Sequence, residues 1–378
     1  MKRLLILGAG VMQLPIIQKA RQLGLYTIVA DYDPEAVGFK DADKRAIISS
    51  TDCDGILKLA REENIDGILT TSDAPVNVVA FVGQRMGLSV MSAEVARVCT
   101  NKYLQRELFS KKDIHTPFFR LCDHTTDLND LNDFPYIVKP VDSSASRGVQ
   151  KVNNRQMLEE AFEKAFEYSR EGKVLVEGFI TGREFSVETL TQNGQTHIIA
   201  ITEKLTRGEE LGYFVEDTHL EPARISKKEV QLISDEVLKA IQAIGLDHCP
   251  SHTEIKLNAQ GAWIIEIACR LGGDYITSDL VPLSTGVDML ENLIRLSLNK
   301  PIQVVKSVSN YSCVQFLNEK NYQKCKDFIL SNNEHIHRYE MKPYSKDIIK
   351  NSLDRLGYII LQTSTLSELE LILNKIRA

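Results

Sequence analysis

The chain opens on an apolar run, Arg3-Leu4-Leu5-Ile6-Leu7, that stops at Gly8-Ala9-Gly10. A short apolar run bounded by turn residues predicts a buried strand. From Pro15 to Leu23 the apolar positions recur with helical spacing and end at Gly24, and Tyr26 to Ala30 predicts a second strand ending at Asp31. Strand-like runs at 46–49, 67–70 and 88–91 follow, with helical stretches between them. Strands alternating with helices predict a parallel, doubly wound sheet over residues 1–98.

The pattern changes after Thr100. Residues 101–112 predict a helix, and a polar stretch from Cys122 to Asp133 precedes a strand at Tyr136–Lys139. A helix over 155–170 and strands at 174–179, 184–191 and 197–202 come next. A long amphipathic helix at 226–244, strands at 253–258 and 262–267, and a helix near 288–298 complete the middle of the chain. Strands grouped with helices on one side predict α+β lobes, here residues 99–300 with a smaller lobe at about 115–178. Pro301 marks the start of a small α+β domain, 301–378, whose last helix opens with the capping-box pattern Thr365-Leu366-Ser367-Glu368. The fold class is thus α/β joined to α+β.

Composition narrows the function classes. Of 378 residues, 43% are hydrophobic and 25% charged, which excludes a disordered or collagen-like chain. A net charge of −6 argues against gripping a phosphate backbone, so no nucleic acid is expected. The seven cysteines are scattered without a C-x-x-C pair, as suits reduced thiols in a cytoplasm. Met1-Lys2-Arg3 and the run behind it lack a small-residue cleavage site and read as a strand, not a leader. No apolar run approaches the roughly 18 residues of a membrane span. The expectation is a cytoplasmic protein with no membrane partner.

Three places carry candidate chemistry. Gly8-Ala9-Gly10 after a strand, with Asp31 downstream, partly matches a dinucleotide fingerprint, but Gln13 stands where the third glycine belongs. The alternative is a tight turn at the switch point of the sheet. Second, Lys139 ends an apolar strand and is followed by Ser143-Ser144-Ala145-Ser146-Arg147-Gly148-Val149. Small residues let a backbone approach phosphate oxygens, with Lys139 as a point charge and Arg147 as a fork; the bland reading is a solvent loop. Third, Ala259-Gln260-Gly261 fits a three-residue hairpin loop between two alternating strands, a register that puts Glu254 opposite Glu266. Opposed carboxylates have Cβ atoms roughly 5 Å apart and repel, so a divalent cation would relieve them, magnesium by ligand type. Otherwise both glutamates are exposed, or Lys256 and Arg270 neutralise them. His252 either approaches a substrate or metal, or is packed; Cys269 and Trp263 read as packing residues, Trp263 in the core.

In order and spacing these pieces resemble the ATP-grasp superfamily over nearly the whole chain. The matching run is Lys102, Val138-Lys139-Pro140, the 143–149 loop, Val176-Glu177-Gly178-Phe179-Ile180, Gly182-Arg183-Glu184-Phe185-Ser186-Val187, and Glu254 with Glu266 before Arg270. His252-Thr253-Glu254, Glu266 to Gly273, Phe214-Val215-Glu216 and His219 to Ala223 look most like carboxylate–amine ligases, amino-acid ligases among them, with a carbamoyl-phosphate-synthetase or biotin-carboxylase-like architecture. The resemblance implies a pre-ATP-grasp domain at 1–98, a two-lobed ATP-grasp domain at 99–300 and a small closing domain in which no chemistry is expected.

It also implies roles. Lys102 and Lys139 would hold ATP phosphates, with Ser143, Ser144, Ser146 and Gly148 closing over them. Glu177 would accept from the adenine amine, Phe179 and Ile180 would line the adenine site, and Glu184 would bind ribose. Alternation puts Glu184 on one face with Ser186 and Glu188, and Phe185 and Val187 in the core. Glu254 and Glu266 would bind Mg2+ (or Mn2+), while Arg270 and Lys139 would be catalytic. Gly10, Gln13, Glu188, His252 and Arg270 are the substrate candidates. One departure is Ala268, where many members carry a metal-binding Asn. The implied reaction activates a carboxylate as an acyl-phosphate for attack by an amine, releasing ADP and phosphate. The partners are then small molecules, and dimerisation is common in the family. Rivals are a bicarbonate-activating carboxylase or carbamoyl-phosphate-forming enzyme, a nicotinamide-dependent oxidoreductase, and a silent nucleotide sensor.

Overall fold

The computed structural model describes residues 1–144, 146–212, 214–331, 333–345, 349 and 352–377. Its first unit contains β1 (Arg3–Leu7), α1 (Leu14–Gln22), β2 (Tyr26–Asp31), β3 (Lys44–Ile47), α2 (Cys53–Glu63), β4 (Gly67–Thr70), α3 (Val76–Met86) and α4 (Ala93–Cys99). The strands pair in parallel in the order β3-β2-β1-β4. Alternation buries both faces. Leu5, Leu7 and Ile28 pack with α2 and α3, whereas Leu4, Ile6 and Val29 pack with α1. Residues 88–91, expected as a strand, form none. The run is short, Val90 lies against Gly83 of α3, where an added Cβ would come within 2.3 Å, and Ser92 already caps α4.

α5 (Lys102–Lys111) leads into a small lobe of β5 (Phe119–Cys122), β6 (Tyr136–Pro140), β7 (Gln150–Val152), α6 (Arg155–Tyr168) and β8 (Val174–Gly178). Its antiparallel sheet runs β5-β8-β6-β7, over a core including Val138, Val176, Leu158 and Phe162. β5 and β7, which the sequence reading did not assign, exist through pairing with β8 and β6.

The large lobe is built on β9 (Arg183–Gln192), β10 (Gln195–Arg207), β11 (Val215–Glu221), α7 (Lys227–Ile244), β12 (Cys249–Asn258) and β13 (Gly261–Ala268). Ser226 and Glu229 form a capping box that starts α7, and Gly245, at φ +76°, ends it. Beyond the short α8 (Val281–Thr285) and α9 (Met289–Ser297) come β14 (Tyr311–Phe316), α10 (Tyr322–Leu330), β15 (Ile336–Met341), β16 (Gly357–Thr363) and α11 (Leu366–Arg377). Thr365 and Glu368 cap α11 reciprocally, as the pattern predicts. β14 pairs with β11, so among the described residues one eight-stranded sheet, β13-β12-β9-β10-β11-β14-β16-β15, runs across both sides of Pro301. The mixed α/β and α+β class is as expected. Among the described residues no helix is long and apolar enough to cross a membrane.

Candidate active site

The large sheet turns one polar face toward a cavity of about 860 Å³ between the lobes, within the usual range of ligand pockets. Strand pairing arranges that floor in rows. Lys256, Glu184, Lys204 and His219 are successive neighbours across β12, β9, β10 and β11. Glu266, Glu254, Ser186 and Thr202 form the next row, and Ala268, His252, Glu188 and Ala200 the third. Phe185 and Val187 point the other way into the core, as alternation predicts.

Glu254 does oppose Glu266, by a different route from the expected one. The turn is the two-residue Ala259-Gln260, with Asn258 paired to Gly261, and a bulge after Glu254 shifts the register by one residue. Among the described residues neither Lys256 nor Arg270 makes an ion pair with either glutamate. Lys102 Nζ lies 3.0 Å from Glu266 Oε1, and Lys204 Nζ lies 2.6 Å from Glu254 Oε1. Burial works to pull the Glu254 carboxyl up, and Lys204 and His252 hold it well below its usual range.

Lys102 is aimed by its helix. The Asn101 side chain accepts from Tyr103 N and Leu104 N, so α5 begins at Lys102, whose Nζ also donates to Ser143 O at 2.6 Å. One turn on, Arg106 is buried, donating to Glu177 Oε1 at 2.7 Å and to Ile265 O at 2.6 Å. Lys139 Nζ sits 2.6 Å from the other Glu177 oxygen. Burial lowers the Lys139 pKa against the pull of Glu177, while two cations keep Glu177 ionised despite its own burial. Glu177 is therefore the counter-ion of Lys139 as well as a cavity-lining residue, a job the sequence did not suggest.

Ser143, Ser144 and Ser146 line the cavity, as do Phe179, Ile180 and Glu184. Ala145 lies outside the described residues. Gly148, at φ +73°, makes the turn and packs on Tyr168 and Pro140; it does not line the cavity. Arg147 bonds back to Ser144 O. Lys151 and Lys256 lie over the Phe179 ring at 4.0 and 4.9 Å, and Phe214 stacks 6.4 Å from it.

Arg270 reaches the first unit. Its Nε and Nη2 donate to Asp73 Oδ1 and Oδ2 at 2.7 and 3.0 Å, which raises its pKa against the cost of burial. Asp73 follows β4, and ligands of open α/β sheets lie at the carboxyl ends of strands, so this acid was findable. Gln13 lines the cavity and donates to Thr71 and Ser72, whereas Gly10 does not line it. Asp31 spends its carboxylate on Ala9 N and Asp33 N, holding the glycine turn. That accounts for the partial dinucleotide fingerprint without a nucleotide.

His252 lines the cavity, with Nδ1 2.5 Å from Glu188 Oε1 and Nε2 3.7 Å from Glu254. Burial depresses its pKa, and Glu188 then lifts it to about 9. Glu188 itself is fully buried behind the ring and does not line the cavity. Trp263 is not in the core; it is half-buried, its ring tilted 5.2 Å from that of His115. Cys269 is buried, as a packing residue should be.

The chain after residue 300, where no chemistry was expected, supplies Arg355, Phe316 and Tyr358 to the cavity wall. Arg355 lies 3.6 Å over the Phe316 ring, and its Nη2 is 2.9 Å from both Glu216 Oε2 and Asp274 Oδ2. His219 Nε2 is 3.5 Å from Asp274, and its buried Nδ1 has no partner among the described residues. Asp274 and Tyr275 both take positive φ, +50° and +65°, ahead of a π-turn at Ile276–Leu280. Strained backbone of this kind collects at ligand sites.

Residues 132–279 match the family described as ATP-grasp domain. This chain carries an ATP-grasp domain. It is 35% identical over 116 residues to the D-alanine–D-alanine ligase of Flavobacterium psychrophilum, a match covering 30% of this chain and 35% of that protein. It is 24% identical over 323 residues to a formate-dependent phosphoribosylglycinamide formyltransferase of Sulfurisphaera tokodaii, 82% of this chain and 79% of the relative. The structure of an L-amino acid ligase from Bacillus licheniformis shares the fold with a TM-score of 0.83 at 21% identity, covering 100% of this chain and 97% of that one. The chain spans 35% of the length of the first of these relatives and 79% of the second, and what it shares with the solved ligase is the fold. None of them supports a nicotinamide-dependent oxidoreductase.

Proposed function

We propose that this protein is an ADP-forming ligase that activates a carboxylate as an acyl-phosphate and passes the acyl group to an amine. One observation carries the reading. Lys102, Lys139 and Arg270 converge on a single cavity above the opposed pair Glu254 and Glu266. Oxide is a poor leaving group and phosphate a good one, so a carboxylate must be phosphorylated before an amine can displace its oxygen. Charge then develops on the phosphoryl oxygens, and fixed cations in a water-poor site stabilise it.

Glu254 and Glu266 suit magnesium, which takes one or two carboxylates and completes its shell with phosphate oxygens and water. Both are partly exposed to the cavity, and among the described residues no group of three or more His, Cys, Asp or Glu forms a self-sufficient metal cage. Ala268, buried beside them, adds no ligand. When bound, the ion neutralises charge on the phosphates. The chain's own residues do the rest. Lys102 and Lys139 hold phosphate oxygens, Glu184 accepts from ribose, and Phe179 and Ile180 border the base. Arg270, fixed by Asp73, steadies the carboxylate and its acyl-phosphate. Closure of the small lobe excludes water.

At the far end of the cavity Glu216 and Asp274 outnumber Arg355. The free cysteines suit a cytoplasmic enzyme. Phosphate release from ATP and Mg2+ would be measured with pools of amino acids, hydroxy acids and short amines, with mass spectrometry of the products. Release that depends on one pool, with a product lighter than its two substrates by one water, supports the reading. Stimulation by bicarbonate alone would replace it with the carboxylase alternative. Undiminished release in Glu266→Gln would sink the metal assignment.

A further inference from the structure

Lys204 lies outside every motif that pointed to this site, yet it occupies the middle of the floor. Its side chain is 4% exposed, and Nζ lies 2.6 Å from Glu254, 3.2 Å from Glu184 and 3.8 Å from Glu216. Those carboxylates come from β12, β9 and β11, the strands on and next to its own flanks. An ammonium has three donors and one charge, and here it has three anionic neighbours.

The metal pair is thus already supplied with cations. Lys204 sits against one glutamate and Lys102 against the other. A divalent ion arriving alone meets carboxylates that already face ammonium groups, while magnesium gives up its water reluctantly. A nucleotide changes the balance, because its phosphates bring negative charge and further oxygen ligands.

We infer that Lys204 is a positioning residue that keeps Glu254 occupied by an ammonium in the empty enzyme, so that a divalent ion enters only together with the nucleotide's phosphates. This rests on the metal role proposed for Glu254 and Glu266. Its consequence is a coupling between two ligands. In the native enzyme Mn2+ binds weakly alone and far more tightly beside the nucleotide, and by linkage the nucleotide's affinity rises equally with Mn2+.

The test uses Mn2+ as the probe, followed by electron paramagnetic resonance, on full-length protein with and without a non-hydrolysable ATP analogue. Lys204→Met removes a cation that three carboxylates share, so the double variant Lys204→Met with Glu184→Gln is made beside it to relieve that excess. The expected result is Mn2+ binding without nucleotide at least about tenfold tighter than in the native protein in whichever variant folds, because a unit positive charge beside the ligand is gone. Lys204→Arg, which keeps the charge, should stay close to native. Glu254→Gln separates the two layers of the argument. If it weakens Mn2+ binding in the nucleotide complex while the Lys204 variants match the native protein without nucleotide, this inference is overturned and the metal site stands. If Glu254→Gln leaves Mn2+ binding untouched in both states, the metal site falls and this inference with it.

Discussion

Arg106 offers the sharpest test of how the site is charged. It is 1% exposed, bonded to Glu177 and to the carbonyl of Ile265, and Lys139 holds the second Glu177 oxygen. The trio has two cations and one anion, a net charge of +1. Arg106→Met keeps the volume of the alkyl stem and removes the guanidinium. The Ile265 carbonyl loses its donor, which costs about 1–3 kcal/mol, and removing one partner of a buried ion pair costs about 3–5 kcal/mol. The two overlap, and Glu177 keeps Lys139, so a loss of about 3 kcal/mol is expected. The trio also becomes neutral. A unit charge acting on a phosphate at a separation on the order of 8 Å is worth about 2 kcal/mol at an effective dielectric of about 20, so nucleotide affinity should fall about tenfold to thirtyfold. Urea unfolding followed by circular dichroism reads the first effect, and calorimetric titration with Mg·ADP at low salt reads the second. Arg106→Lys should recover most of the affinity and less of the stability, because it restores charge without the fork. Unchanged nucleotide affinity in Arg106→Met would refute the charge argument even if the protein were destabilised.

Three further outcomes follow from the same geometry. Asp73→Asn should leave ATP binding intact and lower kcat about 100-fold, since it frees Arg270 from a two-point hold; steady-state phosphate release showing native kcat would dismiss the clamp. Arg355→Ala should change KM for the second substrate while nucleotide affinity, measured by calorimetry, stays native; a shift in nucleotide affinity instead would contradict its assignment to the far end. Burial, opposed by the Thr202 hydroxyl and Lys306, lifts the Glu221 pKa from 4.5 to about 8, so the native state holds a proton that the unfolded state releases across that window and stability falls as pH rises through it. Glu221→Gln should match the native protein below pH 4.5 and exceed it by about 3–5 kcal/mol at pH 8 in urea unfolding; parallel pH profiles would show that Glu221 is not held neutral.

What could be read from the sequence was what local patterning controls. Alternation along β9 placed Glu184, Ser186 and Glu188 on one face with Phe185 and Val187 behind, and the structure agrees. The hairpin brought the two glutamates opposite each other, but the loop length and the bulge compensated, a cancellation that no residue count could reveal. Arg106 was missed although it left a trace. Lys102, Gln105, Arg106 and Phe109 are the buried positions of α5, three of them polar at the i, i+3, i+4, i+7 spacing where an apolar stripe belongs. Lys204 lay past the point where apolar alternation on β10 fades, and pairing with β9 and β11 carries that strand on to Arg207. Nothing local marks Arg355, because its partners Glu216 and Asp274 lie 139 and 81 residues away. Residues 88–91 and Trp263 failed for the converse reason, since apolar composition does not say what an element packs against.

Lys102, Lys139, Lys204 and Arg270 share one arrangement, each facing a carboxylate. Lys102 faces Glu266, Lys139 faces Glu177, Lys204 faces Glu254 and Arg270 faces Asp73. Four buried or half-buried cations converging without counter-ions would cost far more than a domain's net stability, so an anion site of this strength must be folded in neutralised form. A triphosphate entering the cavity then competes with carboxylates already in place, and its affinity measures a difference between two sets of ion pairs. The acidic partners consequently do two separable things. They hold each cation at a defined point, which the chemistry needs, and they weaken its grip on a bare anion, which lets ADP leave. A binding measurement alone therefore misjudges them, since removing such a carboxylate can strengthen ADP binding while turnover falls. That opposition distinguishes a positioning acid from a simple structural one, whose loss would weaken both together.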